Sequence, residues 1–174
     1  MNSTALQPPP PAVAAGKILL IGLGNDILGD DAVGLLIARE IRRRLGDSDS
    51  IQVVESAETG LALLDLMAGF EVMILVDAAQ TGRAPLGHVH EWDDGDLGVL
   101  RRGSPHSLGL GEVLALGRRL DLAVPRRVKI FAVEIPESHT VAEGLTVPLQ
   151  RAFPAAVERI LRAARQLQNG DGPV

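Results

Sequence analysis

Residues 17–46, KILLIGLGNDILGDDAVGLLIAREIRRRLG, contain three local patterns in succession. The continuous apolar run KILLIGLG (17–24) is typical of a strand that is buried on both faces. After an acidic, glycine-containing loop, residues 32–46 place apolar side chains at helical spacing and end in arginines and Gly46, which indicates a helix and its C-terminus. This strand–loop–helix unit is the usual start of an α/β domain with a parallel sheet.

The same alternation continues along the chain. It predicts strands at 51–57, 71–79 and 128–134 and helices at 59–69, about 107–120 and about 146–168, the last with a start that Pro148 and Pro154 delay or kink. Residues 87–93 alternate polar and apolar side chains, which favours an antiparallel edge strand. We therefore expect an α/β fold: a three-layer α/β/α sandwich around a mostly parallel, roughly five-stranded twisted sheet with one antiparallel edge strand.

Composition sets the domain organisation and excludes several classes of protein. The 174 residues suit a disordered, proline-rich leader at 1–16, a single α/β domain at 17–168 and a flexible tail at 169–174. Aromatic residues make up only 2%, so the core must be aliphatic. The net charge of −5 predicts no nucleic-acid or anionic-membrane partner, and the lack of cysteine excludes disulfides and thiolate sites. With no apolar run of about 20 residues and no signal sequence, we expect a cytoplasmic protein.

Three acidic residues follow strands of the predicted sheet. Asp30 and Asp31 come after the first strand, and Asp77 ends the strand MILVD. Ligands of such sheets bind beyond the carboxyl ends of the strands, so these side chains are expected at one edge. A helix N-cap explains Asp30 alone. Three gathered carboxylates repel one another unless a cation or a shared proton relieves them, which favours a metal.

Histidines are the other candidate ligands. His106 lies in a loop before a predicted helix, where a histidine is more often solvated than a ligand. His88 and His90 share one face of the predicted edge strand, and there the solvated interpretation is favoured, while His139 has no evident partner. Two carboxylates and an imidazole suit zinc, nickel, iron or manganese, and the residues alone do not choose among these metals.

Four motifs in this order make the chain resemble the hydrogenase maturation endopeptidases, which trim the large-subunit precursor of nickel–iron hydrogenases. The motifs are GLGNDILGDDAVG (22–34), VDAAQTG (76–82), SPHSLGL (104–110) and IPES followed by GLT (135–138 and 144–146). The resemblance runs from about Lys17 to Leu161. It implies that 17–168 is a protease domain.

The resemblance also implies a metal site formed by Asp31, Asp77 and His106. Gly24 and Asn25 then shape the turn, and Asp30 either caps the helix or supports Asp31. Many family members have an Asp-Gly-Gly-Thr-like segment after the second strand. Here the sequence is ESAETG (55–60), so Glu55 is the candidate replacement for that aspartate.

The implied function is removal of the C-terminal extension from a nickel-loaded precursor, with the nickel carried by that substrate and recognised by the three residues. Either the metal activates the carbonyl or a water, or a carboxylate acts as general base. A non-proteolytic, metal-binding assembly chaperone for the same hydrogenase is the alternative. We expect a monomer when the precursor is absent.

Three other classes fit the sequence less well. A dinucleotide-binding fingerprint needs a third glycine where Ile27 stands. A receiver-type magnesium pocket needs a lysine near the end of the last strand, whereas Lys129 lies at its start. Peptidyl-tRNA hydrolases share the GLGN opening, but the acidic charge argues against a tRNA partner.

Overall fold

The computed structural model describes residues 17–93, 109–136 and 144–169. The strands are β1 (Ile18–Leu23), β2 (Ile51–Ser56), β3 (Val72–Ala79), β4 (Val89–Asp93) and β5 (Arg127–Glu134). The helices are α1 (Val33–Leu45), α2 (Leu63–Met67), α3 (Leu110–Arg119) and α4 (Val147–Gln168), with 3₁₀ turns at Gly29–Ala32 and Gly60–Ala62. The predicted leader 1–16 and residues 170–174 of the predicted tail lie outside the described residues.

The strand order is β2-β1-β3-β5-β4, with β4 antiparallel to β5 and the other pairs parallel. This confirms the predicted mixed sheet with one antiparallel edge strand. From β1 the chain moves outward to β2 and then returns to the other side of β1 to form β3. The order of strands therefore reverses between β1 and β3, where the crevice of an open α/β sheet forms.

Each face of the sheet has its own aliphatic core. On one face, Leu20 and Ile74 pack with Ile37 of α1 and Ile160 of α4. On the other face, buried side chains of β1, β3 and β5 pack with those of α2 and α3, among them Ile21, Leu75, Ile130, Met67 and Leu114. Burial of each such side chain contributes roughly 1.5–3 kcal/mol. The three-layer arrangement is thus confirmed.

Helix boundaries differ from the predictions in two places. The predicted helix 59–69 is reduced to a 3₁₀ turn and the short α2, because Gly60 has φ +61° and Ala68 has extended backbone angles. The last helix starts at Val147 without delay. Pro148 lies in its first turn, where backbone amides have no partner within the helix, so the lack of an amide hydrogen in proline costs no helical hydrogen bond. It continues through Pro154.

The open side of β4 is contacted by a side chain of α4. One nitrogen of the Arg159 guanidinium donates to the carbonyl oxygen of Val89 at 2.8 Å, and another lies 3.0 Å from a carboxylate oxygen of Glu91. Lys129 of β5 contacts the other oxygen of Glu91 at 2.7 Å. These contacts tie α4 to the edge of the sheet.

None of the described helices has the length and apolarity required to cross a bilayer.

Candidate active site

Two glycines bring the start of α1 into contact with the ends of β1 and β3. A methyl group on Gly34 would lie 2.2 Å from the Leu23 carbonyl oxygen and 2.6 Å from that of Val76. A methyl group on Gly24 would lie 2.3 Å from the Asp31 carbonyl oxygen. Only glycine fits at such separations. The backbone around Asp31 is therefore held against the carboxyl ends of the central strands.

Asn25 shapes the turn after β1, as the sequence predicts. Its side-chain Oδ1 accepts a hydrogen bond from the Ile27 amide at 3.1 Å, which forms an Asx turn. Its carbonyl oxygen accepts another from the Leu28 amide at 3.1 Å. The turn therefore has a fixed geometry before the acidic pair begins.

Asp30 and Asp31 lie side by side in the 3₁₀ turn Gly29–Ala32, and both are buried. The helix-capping interpretation of Asp30 is wrong, because neither this turn nor α1 has a capping hydrogen bond from a side chain. The Asp30 carboxylate instead accepts hydrogen bonds from the amide of Thr146 at 2.7 Å and from its hydroxyl at 2.8 Å. Asp30 thus supports the turn that contains Asp31 by anchoring it to the start of α4.

Asp77 is completely buried near the end of β3. Its Oδ1 accepts a hydrogen bond from the Ala78 amide at 2.8 Å. A methyl group on Gly34 would lie 3.2 Å from the Asp77 Cα, so the first turn of α1 touches β3 at this residue. Since Asp31 precedes Gly34 by three residues, the structure brings the Asp31 and Asp77 segments together at the crevice between β1 and β3.

His106 lies outside the described residues, as does His139. The nearest described segment is the start of α3, where Leu110 packs in the same core cluster as Leu23 and Leu75. Side chains alternate along a strand, so Asp77 faces the same side of the sheet as Leu75.

Within 17–93, 109–136 and 144–169, no three His, Asp or Glu side chains form a possible metal site. The set Asp31, Asp77 and His106 stays a prediction.

Glu55 forms ion pairs with α1. Its two carboxylate oxygens lie 2.7 Å from Arg39 and 2.6 Å from Arg42. The hydrogen bonds and the negative charge of Glu55 raise the pKa of Arg39, and Asp26 adds a smaller effect in the same direction. Burial acts to lower this pKa, but the two carboxylates outweigh it. These bonds connect β2 to α1. A supporting role of Glu55 in the site stays a prediction.

A buried glutamate that was not among the predicted site residues, Glu134, lies at the end of β5. The Glu134 carboxylate accepts hydrogen bonds from the Thr81 hydroxyl at 2.6 Å and the Gly82 amide at 2.7 Å, and its Oε2 lies 2.7 Å from His90 Nε2. Burial acts to raise the pKa of Glu134, but the bonds from Thr81, His90 and Gly82 outweigh it, and the pKa is lowered overall. The signal was an acid ending the apolar run VKIFAVE, just as Asp77 ends MILVD.

The prediction of a solvated His90 is therefore wrong. Its side chain is only 16% exposed and contacts Glu134. His88 is exposed, and its ring lies edge-on to that of His90 with the centroids 4.8 Å apart, so the predicted sharing of one strand face is confirmed. The His90 ring also stacks on Trp92.

Comparison with known proteins reveals relatives over most of the chain. Residues 35–163 match the HycI family of hydrogenase maturation proteases. The hydrogenase 2 maturation protease of Escherichia coli is 30% identical over 152 residues, which are 86% of this chain and 92% of that protein. The hydrogenase expression/formation protein HupD of Rhizobium leguminosarum is 25% identical, with 92% and 78% of the two chains covered.

Solved structures agree with these sequence matches. The hydrogenase maturating endopeptidase HybD from Escherichia coli superimposes with a TM-score of 0.75 and 30% identity over 86% of this chain and 93% of that one. A hydrogenase maturation protease HybD from Thermococcus kodakarensis has the same fold, with a TM-score of 0.67, 20% identity and coverage of 85% and 99%. The family match and the 30% identity to the Escherichia coli proteins, over most of both chains and with the same fold, show that this chain belongs to the hydrogenase maturation protease family, as an endopeptidase.

Proposed function

We propose that this endopeptidase removes the C-terminal extension of a nickel–iron hydrogenase large-subunit precursor after that precursor has received its nickel. In this proposal Asp31, Asp77 and His106 bind the nickel, which enters as part of the substrate. The contact between the first turn of α1 and β3 at Asp77 is the observation that carries the proposal, because it gathers two carboxylate-bearing segments at one crevice. Names of the relatives supply the substrate class.

The chemistry of the donor set suits this role. Carboxylate oxygens and an imidazole nitrogen are ligands that nickel accepts. Asp77 cannot change its position easily, since it is completely buried and its Oδ1 is bonded to the Ala78 amide. Asp31 is fixed through the turn that Asp30 anchors to Thr146. Two rigid carboxylates would let the protein orient a nickel-bearing precursor so that its scissile bond has one position.

Recognition of nickel makes cleavage conditional on successful loading. A precursor without nickel offers nothing for the three ligands to hold, so its peptide bond is not positioned. Cleavage then proceeds by one of two routes: the metal polarises the carbonyl or a bound water, or one carboxylate acts as general base and contributes about 10²–10⁴-fold.

The test compares nickel-loaded and nickel-free precursor and follows release of the C-terminal peptide by mass spectrometry. We expect release from the loaded form only, and loss of release in Asp31→Asn, Asp77→Asn and His106→Ala. Asp26→Asn is the matched control, because Asp26 is in the same loop but its side chain is 59% exposed. Release that persists at the parental rate in all three site variants would refute the proposed site.

The assembly chaperone is the second candidate, and the same experiment separates it from the protease. Stable binding of loaded precursor without peptide release would favour the chaperone. The proposal further assigns processing to the cytoplasm, without a nucleic-acid or membrane partner, and a monomeric enzyme before precursor binds. Light scattering of the purified protein alone tests the last point.

A further inference from the structure

The loop between β3 and β4, residues 80–88, is attached to the end of β5 by backbone bonds at both of its ends. The Ile135 amide donates to the Ala79 carbonyl oxygen at 2.8 Å where the loop begins. Where the loop ends, the Gly87 amide donates to the Glu134 carbonyl oxygen and the Glu134 amide donates to that of His88, both at 2.8 Å. The loop therefore leaves and rejoins the sheet next to Glu134.

The Glu134 side chain fixes the middle of the same loop. It is only 2% exposed, and its three bonds reach Thr81, Gly82 and His90. A hydrogen bond to a charged acceptor is about twice as strong as one between neutral groups, and a buried carboxylate that loses a donor is costly. One carboxylate thus determines where the first half of the loop runs.

This loop and the segment after β5 enclose a pocket of about 260 Å³, lined by Gln80, Thr81, Leu86, Glu134, Ile135 and Pro136 among others. Gln80 directly follows β3, which carries Asp77, so the pocket and Asp77 lie at the same carboxyl edge of the sheet. In the sheet register Asp77 pairs with Ala132 and Ala79 with Glu134, so Asp77 and Glu134 face the same side. Small-molecule sites usually measure about 300–1,000 Å³, so this pocket is suited to a side chain of a longer substrate.

We propose that Glu134 is a positioning residue for precursor cleavage: by holding Thr81 and Gly82 it shapes this pocket, which binds a side chain of the extended precursor segment next to the scissile bond. The inference deepens the proposed function and rests on it. Glu134 itself does not touch the reacting atoms. Its loss therefore weakens binding of the precursor and leaves the chemical step intact.

The experiment measures KM and kcat for peptide release from nickel-loaded precursor, together with hydrogen exchange at the Gly82 amide. The variants are Thr81→Val, Thr81→Ser and Glu134→Gln, and Thr59→Val is the control, because Thr59 is exposed in a different loop and makes no capping bond. We expect Thr81→Val and Glu134→Gln to raise KM about tenfold, to keep kcat within about twofold, and to speed exchange at Gly82. Thr81→Ser keeps the hydroxyl, so we expect its KM to equal that of the parent.

The outcomes separate this inference from the function on which it rests. An active parent whose KM does not change in Thr81→Val, although Gly82 exchanges faster, would show a purely structural network. A fall in kcat at constant KM would assign Glu134 to the chemical step, and either result overturns the inference alone. A parent that releases no peptide overturns the proposed function and the inference together. If Glu134→Gln does not fold, Thr81→Val decides the question.

Discussion

The carboxylate of Asp30 accepts two hydrogen bonds from Thr146, one from the Thr146 amide at 2.7 Å and one from the Thr146 hydroxyl at 2.8 Å. Thr146 directly precedes α4, and Asp30 directly precedes Asp31 in the turn before α1. Two segments 116 residues apart in the chain are thereby joined beside the candidate site. The position of Asp31 consequently depends on α4 as well as on the strand it follows.

Thr146→Val should destabilise the protein by about 1–3 kcal/mol, because the buried Asp30 carboxylate loses a donor and gains no replacement. Thr146→Ser keeps both the hydroxyl and the amide, so it should lose well under half as much. Urea unfolding followed by circular dichroism gives both values. A loss in Thr146→Ser as large as that in Thr146→Val, or larger, would contradict the role of the hydroxyl, because serine keeps the hydroxyl and lacks only the methyl group.

Gly34→Ala should be more damaging than Gly46→Ala. The first places a methyl group 2.2 Å from the Leu23 carbonyl oxygen, and such overpacking costs typically 1–3 kcal/mol or more. The second meets nothing within 4 Å, but it must adopt φ +59° with ψ −144°, a conformation that costs roughly 1–3 kcal/mol for a residue with a Cβ. We further expect Gly34→Ala to reduce peptide release, since the Asp31 turn must move away from β3. A ranking in the opposite order, measured by urea unfolding, would contradict the close contact.

Glu55→Gln tests whether this residue mainly ties β2 to α1. Arg39 and Arg42 are about half exposed, so loss of the two ion pairs should cost no more than about 1 kcal/mol. The difference from the parent should shrink at about 0.5 M salt, where the Debye length falls to a few ångströms. Unfolding at two salt concentrations checks this, with Glu58→Gln as the exposed control. A large, salt-independent loss would point to a different role.

Acid should weaken the contribution of Glu134 to stability. The folded-state pKa of this group lies below its ordinary value of about 4.5, so its stabilisation is complete above that value and is lost as the pH falls through the folded pKa. The gap in unfolding free energy between the parent and Glu134→Gln should be smaller below about pH 4 than at about pH 5, because the folded-state carboxylate becomes protonated over that interval. A gap that widens as the pH falls would mean that the folded-state pKa of Glu134 is raised, not lowered.

Local sequence patterns predicted the elements, because burial on both faces makes β1 and β3 continuous apolar runs. They also placed Asp77, since an acid that ends such a run falls at the carboxyl edge of the sheet. The partner of Asp30 could not be predicted, because Thr146 is 116 residues away and no periodicity connects the two. The environment of His90 was missed for the same reason: Glu134 belongs to another strand, and only the register between β4 and β5 reveals the pair.

Arg159 has a consequence for how this protein meets other chains. Because its guanidinium occupies the Val89 carbonyl oxygen, an incoming peptide cannot extend the sheet beyond β4 as a sixth strand without displacing it. Pairing of β4 with a strand of a second copy is therefore disfavoured. Pairing of β4 with an extended segment of a substrate is disfavoured for the same reason. A chain that pairs with this sheet as an added strand would have to displace Arg159 or use the other edge strand, β2.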